Sequence, residues 1–184
     1  HVYIITWEQG GHSIVYPLSP KVTHIDWGIL FYRQYQYGLF KRMFMQWKME
    51  KEFFKKLSNF VHTTQADIVI GASCEFTTMA GMDLLQRKTH TILETHSMRT
   101  SIEKNNPPAG NLLMRWAFKR RDKKLHQYIK HMSAFVTLTH NDAKDWSDIT
   151  PQARIIPNML HRYPAEISPD KKTQKRIITA GRLV

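Results

Sequence analysis

His96 follows Thr91-Ile92-Leu93-Glu94-Thr95, a buried-strand pattern, so its imidazole would stand at the strand's carboxyl end, where open α/β sheets hold ligands. An imidazole there can act as general acid or base or orient a reacting hydroxyl; it can equally be a satisfied loop histidine. Ser97 and Arg99 follow at the same edge, and Ser73 and Glu75 come after the strand-like Asp67-Ile68-Val69-Ile70-Gly71. A hydroxyl, a carboxylate and a cation could bind hydroxyls or phosphate. Ser73 and Glu75 could instead do no more than cap the next helix and favour its positive end. Arg182, in Gly181-Arg182-Leu183, offers paired donors to a phosphate, or is simply solvated. Cys74, the single cysteine, reads as a small buried hydrophobe rather than a nucleophile. Neither His90 with His96 nor His126 with His131 has a spacing that puts two imidazoles on one helical face, so no metal site is expected.

The basic residues cluster. Arg115, Lys119, Arg120, Arg121, Lys123, Lys124 and Lys130 stand against Asp122 and are interleaved with Leu112, Trp116, Phe118 and Tyr128. A basic amphipathic segment carrying Trp and Phe suits an anionic membrane surface, and it is equally a core helix with a solvated basic face. Over the whole chain 27 Lys and Arg outnumber 15 Asp and Glu, a formal charge of +12, which also fits nucleic acid. Against that partner, no helix-turn-helix, RNP-like or zinc-finger pattern is present, and no nucleic acid is expected.

The elements that must hold these residues come from periodicity. Extended runs fall at 2–6, 22–25, 67–71, 91–95, 134–138 and 153–156, with helical patterns at about 40–61, 75–87 and 112–131. Gln9-Gly10-Gly11-His12 reads as a turn into a further extended piece at 13–16, and Asn105-Asn106-Pro107-Pro108 as a loop no helix crosses. Thr139 or Asn141 would cap a short helix through Trp146. Strands alternating with helices of this length imply βαβ units and a parallel sheet with helices on both faces. With 184 residues, 42% hydrophobic and 23% charged, the chain is globular and slightly longer than one ordinary domain. No apolar run approaches the ~20 residues that span a bilayer, and one cysteine favours a reducing compartment. Residues 157–175 read as a linker and 176–184 as a strand ending in a Gly-Arg turn. The chain therefore looks cut at both ends.

Taken together, Val136-Thr137-Leu138-Thr139-His140-Asn141-Asp142, then Ile155-Ile156-Pro157-Asn158, then Thr179-Ala180-Gly181-Arg182-Leu183 resemble, in order, landmarks of the family-4 retaining glycosyltransferases. In that family a strand ends in a Ser or Thr turn, an "IPN" turn leads to the interdomain hinge, and "GRL" opens the nucleotide-sugar domain. Leu93-Glu94-Thr95-His96 sits where the family carries a strand ending in His.

The resemblance implies a GT-B architecture of two Rossmann-like domains. Residues 1–156 would be the acceptor-side domain, 157–175 the linker, and 176–184 the first strand of the nucleotide-sugar domain. The first strand and glycine-rich loop would lie upstream of His1, leaving Gly10-Gly11 as a hairpin turn. On this view the full-length enzyme transfers a sugar from a nucleotide sugar to an acceptor hydroxyl with retention, in cell-surface polysaccharide or glycolipid synthesis, with no metal or other cofactor. The chain alone would be inactive. His96 would face the reacting sugar or acceptor, and Arg182 with Gly181 would hold the donor diphosphate. Ser73, Glu75, Ser97 and Arg99 would contact a sugar or lipid-linked acceptor. The protein would be cytoplasmic, held at the inner face of the membrane by Arg115, Trp116, Lys119, Arg120, Arg121, Lys123 and Lys124. A nucleic-acid-binding or noncatalytic α/β interaction domain is the alternative.

Overall fold

A computed structural model describes residues 1–14, 17–86, 89–103 and 112–158 of the chain. Two strands open it, β1 (Val2–Thr6) and β2 (Val22–Asp26), followed by a 3-10 turn at Phe31–Gln36 and the long helix α1 (Leu39–Thr64). Strands and helices then alternate: β3 (Ile68–Gly71), α2 (Phe76–Asp83), β4 (His90–Glu94), α3 (Arg99–Ile102), α4 (Leu112–His131), β5 (Ala134–Thr137), α5 (His140–Asp145) and β6 (Arg154–Ile155). Among the described residues every strand pair is parallel, and helices make the crossovers of the larger sheet. Hydrogen bonding divides the strands into two sheets, β1-β2 and β3-β4-β5-β6, where the periodicity suggested one. The molecule is mixed α/β with parallel strands, compatible with a Rossmann-like arrangement.

The larger sheet carries the main core. Met79 and Met82 of α2, Leu93 of β4, Leu125 and Ile129 of α4, Phe135 of β5 and Trp146 after α5 close into one buried cluster. Leu125 and Ile129 are four apart on α4 and so share the face turned to the sheet. Thr139 caps α5: its hydroxyl accepts the Asp142 N–H at 3.1 Å and donates to that residue's carboxylate at 2.7 Å, a reciprocal arrangement that settles the choice between Thr139 and Asn141. A second cluster, Ile29, Met49 and Phe53, packs α1 against the segments that leave β1 and β2, with Trp7, Trp27 and Phe31 around Phe53. Gly81 lets α2 approach α1, since a Cβ there would stand 2.9 Å from the Phe53 ring.

Several sequence expectations change. Because β1 and β2 run parallel, Gly10 and Gly11 do not make a hairpin turn; they lie in a crossover connection, at φ 66° and 84°, conformations that suit glycine. Ser13 and Ile14 are exposed and form no strand, while Val15 and Tyr16 lie outside the described residues. α2 ends at Asp83 rather than 87, and Ser73 stands before the helix, accepting the Glu75 N–H at 3.2 Å instead of capping the first helical turn. In α1 the apolar stripe continues past the part that is covered. Phe53 and Val61 are buried, whereas Phe40 is 86% exposed and Trp47 53%.

Candidate functional site

Parallel strands bring their carboxyl ends to one edge, and the residues that leave those ends meet there. Trp7 and Glu8 follow β1, and the loop of Ser73, Cys74 and Glu75 follows β3. Of these, Trp7, Glu8 and Glu75, with Tyr32 and Tyr35 of the 3-10 turn, Arg42 and Trp47 of α1, and Arg121 of α4, line a cleft of about 860 Å³, whereas Ser73 and Cys74 are not among its lining residues. Aromatic faces with a few carboxylates and guanidiniums among them are what a polyhydroxylated ligand needs: rings cover its C–H faces while charged groups take its hydroxyls.

The glycine loop beside this cleft is fixed by Asp26. Its carboxylate accepts the Gly10 N–H at 3.0 Å, the Gly28 N–H at 3.3 Å and the Thr6 hydroxyl at 3.2 Å. Partial desolvation acts to raise the Asp26 pKa, but the donors Gly28, Thr6, Gly11 and Gln9 outweigh it and hold the carboxyl below its ordinary value. The backbone also crosses between the two strand ends, with Trp27 N–H donating to the Thr6 carbonyl and Leu30 N–H to that of Trp7. Leu30 adopts φ 57°, an uncommon conformation for a branched residue, enforced by this closure.

Glu75 is raised above the ordinary carboxylate value by partial burial and by the like charge of Glu8, a shift toward the range where acid–base work is done. Deeper in the cleft, Glu50 accepts the Thr77 hydroxyl at 3.1 Å and the Gln46 amide at 2.6 Å, which fixes α1 against the start of α2. Cys74 is sealed from this chemistry. Burial pushes its thiol up to about 11, only partly offset by a hydrogen bond with Thr95, so at neutral pH it is a protonated, packed side chain.

His96 stands at the carboxyl end of β4 as expected, exposed, with Nε2 at 3.6 Å from the Glu94 carboxylate. Its loop is held by Thr95, whose hydroxyl donates to the Ser97 carbonyl at 2.9 Å and accepts the Ser97 N–H at 3.4 Å. His96 and Ser97 therefore sit on the edge next to the cleft rather than among its lining residues. The geometry gives Arg99 a different part from the one expected. Its guanidinium bonds Glu103 at 2.7 Å, both oxygens of Asp148 at 2.5 and 3.1 Å and the Asp145 carbonyl, and lies over the Trp146 ring. These contacts tie α3 to the end of α5 and hold Arg99 in the framework.

On α4, Arg115, Trp116, Lys119, Arg120, Lys123 and Lys124 are exposed, and Arg120 lies over the Trp116 ring. Arg121 departs from the set: half-buried, it contacts the Ile102 carbonyl and the Phe76 ring and lines the cleft. Arg182 and Gly181 lie outside the described residues, as do residues 159–184 as a whole. Among the described residues no three His, Cys, Asp or Glu side chains converge as metal ligands. None of the described helices is long and apolar enough to cross a membrane.

Sequence reasoning missed Trp7, Glu8, Tyr32, Tyr35 and Arg42. One signal was available: Trp7 and Glu8 leave a strand at the same edge as His96. The others reach the cleft only through the fold. No protein-family model, curated protein or solved structure matches the chain.

Proposed function

We propose that this chain is the acceptor-side half of a retaining glycosyltransferase of GT-B architecture, which passes a sugar from a nucleotide sugar to an acceptor hydroxyl. The observation that carries the reading is the cleft at the carboxyl edge of the parallel strands, with Trp7, Tyr32, Tyr35 and Trp47 as ring faces and Glu8, Glu75 and Arg42 as polar contacts. It agrees with the ordered sequence landmarks from Val136 to Leu183. The acceptor sugar lies in the cleft, and His96 borders it at the end of β4, where it orients the reacting sugar or hydroxyl. In the reaction the sugar carbon exchanges its bond to the diphosphate for one to the acceptor oxygen, and the hydroxyl proton leaves with the diphosphate. Arg182 steadies the charge that develops on that leaving group. By the sequence resemblance, residues 157–175 would be the linker to a donor-binding domain.

Two features support the architecture. β1 has β2 as its strand neighbour and β3 has β4, and the exposed Val2, Ile4, Ile68 and Ile70 lie along these two terminal strands. Open strand edges of this kind suit pairing with a further parallel strand. The exposed basic flank of α4 suits a cytoplasmic enzyme at the inner face of an anionic membrane, acting on lipid-linked acceptors in polysaccharide or glycolipid synthesis. A screen of uridine and guanosine diphosphate sugars with the full-length protein and a membrane lipid extract tests the reading. Label from one donor passes to the extract; no transfer from any donor contradicts it.

A further inference from the structure

We propose that residues 39–51 of α1 and the exposed flank of α4 form one face that docks on an anionic lipid bilayer, with the α1 aromatics entering the interface. Leu39, Phe40, Met43, Phe44 and Trp47 make a continuous exposed stripe, spaced as one face of the helix. α4 adjoins it: Gln46 and Glu50 share a groove of about 460 Å³ with Trp116, Arg120 and Lys124. Cations accompany the rings throughout. Lys41 lies 4.2 Å from the Tyr37 ring centre, Arg42 4.2 Å from that of Tyr35, Lys51 4.7 Å from that of Trp47, and Arg120 5.4 Å from that of Trp116. Rings that enter the headgroup layer with cations at their sides place positive charge at phosphate depth.

The start of α1 is electrostatically unfavourable when alone. Gly38 gives no side-chain cap, the first turn holds no acidic residue, and Lys41 and Arg42 stand at the positive end of the helix dipole. An anionic surface removes that penalty. The acidic side chains of α1 are already engaged, Glu50 by Gln46 and Thr77 and Glu52 by Lys56 at 3.0 Å, while Glu8 and Glu75 line the cleft with Arg42. A second copy of the chain fits poorly, because the same cations would face one another across the interface. Leu39, Arg42, Met43 and Trp47 also line the cleft, so if the cleft binds acceptor, as proposed above, its mouth opens at the bilayer and the acceptor is a membrane lipid.

Sedimentation of the purified chain with vesicles tests this. The chain should pellet with vesicles of mixed phosphatidylglycerol and phosphatidylcholine, stay in solution with phosphatidylcholine alone, and be partly released by salt. Phe40→Ser with Phe44→Ser, both outside the cleft lining, should lower partitioning by roughly tenfold with unchanged melting. Lys119→Ser with Lys123→Ser should weaken it several-fold and flatten the salt dependence. No pelleting at low salt, equal pelleting with both vesicle types, or full pelleting of the Phe40/Phe44 variant would overturn the proposal. So would a single-stranded RNA that binds the chain and is lost with the same variant while vesicles are not bound. Sedimentation reads no sugar transfer, so the outcome here and that of the donor screen are separable.

Discussion

The half built on β3 to β6 and the half built on β1, β2 and the start of α1 use the same residue types to opposite effect. In the first, Trp146 is fully buried and packs against Phe135, with Arg99 laid over its outer face. In the second, Trp47 is more than half exposed beside Phe44, with Lys51 against its ring. The difference teaches where each half gets its stability. Under the larger sheet Trp146 and Phe135 are enclosed and Arg99 is fixed by Asp148 and Glu103, with Trp116 and the outer cations of α4 left exposed, whereas the smaller sheet leaves rings and cations open along a cleft and a helix face. Closed packing gives the frame, and open packing gives the surfaces proposed to bind.

The sharpest way to break this comparison is to empty the closed half. Trp146→Ala should cost roughly 3–5 kcal/mol in urea denaturation, because the hole lies in a core that cannot collapse around it. Cys74 packs against the same core. Its thiol, at about 11 instead of 9.0, should react with iodoacetamide at neutral pH on the order of a hundredfold more slowly than an exposed cysteine, with the rate still rising toward pH 11. Rapid alkylation at neutral pH would mean the closed half opens.

Smaller effects sharpen the boundary between the halves. Arg99 holds the Asp148 carboxyl below its ordinary value, so the pair adds stability above the usual carboxylate pKa and loses it as the pH falls through the lowered one. Asp148→Asn should therefore cost less than about 1 kcal/mol near neutrality, with the variant and the parent converging in denaturation below about pH 4. Phe40→Ala should change stability least, within about 0.5 kcal/mol, since its ring is already in water.

Much of the frame was legible in the residues. α4 begins at Leu112 and ends at His131, as its periodicity predicts, and β1 spans Val2–Thr6. Legibility failed where the answer depends on a distant partner. A 3.6-residue stripe identifies the apolar face of α1 but not how far along the helix something covers it. Turn chemistry at Gly10 and Gly11 does not distinguish a hairpin from a parallel crossover; the pairing of Ile4 with His24 does. Arg99 read as a ligand because Asp148, 49 residues away, cannot be seen from its neighbours. Of the cleft lining, Glu75 was readable because a strand end fixes its place, as it does for His96 on the neighbouring edge, while the ring faces of the cleft come from the residue after β1, the 3-10 turn and α1 and converge only in the fold.

The most direct test of the central claim compares the full-length protein with its His96→Ala variant in initial rate of sugar transfer and in thermal melting. Transfer should fall by on the order of a hundredfold while the melting temperature holds, because His96 is exposed at the end of β4 and supports no core. Unchanged transfer, or a fall in rate matched by loss of the folded state, would contradict the account.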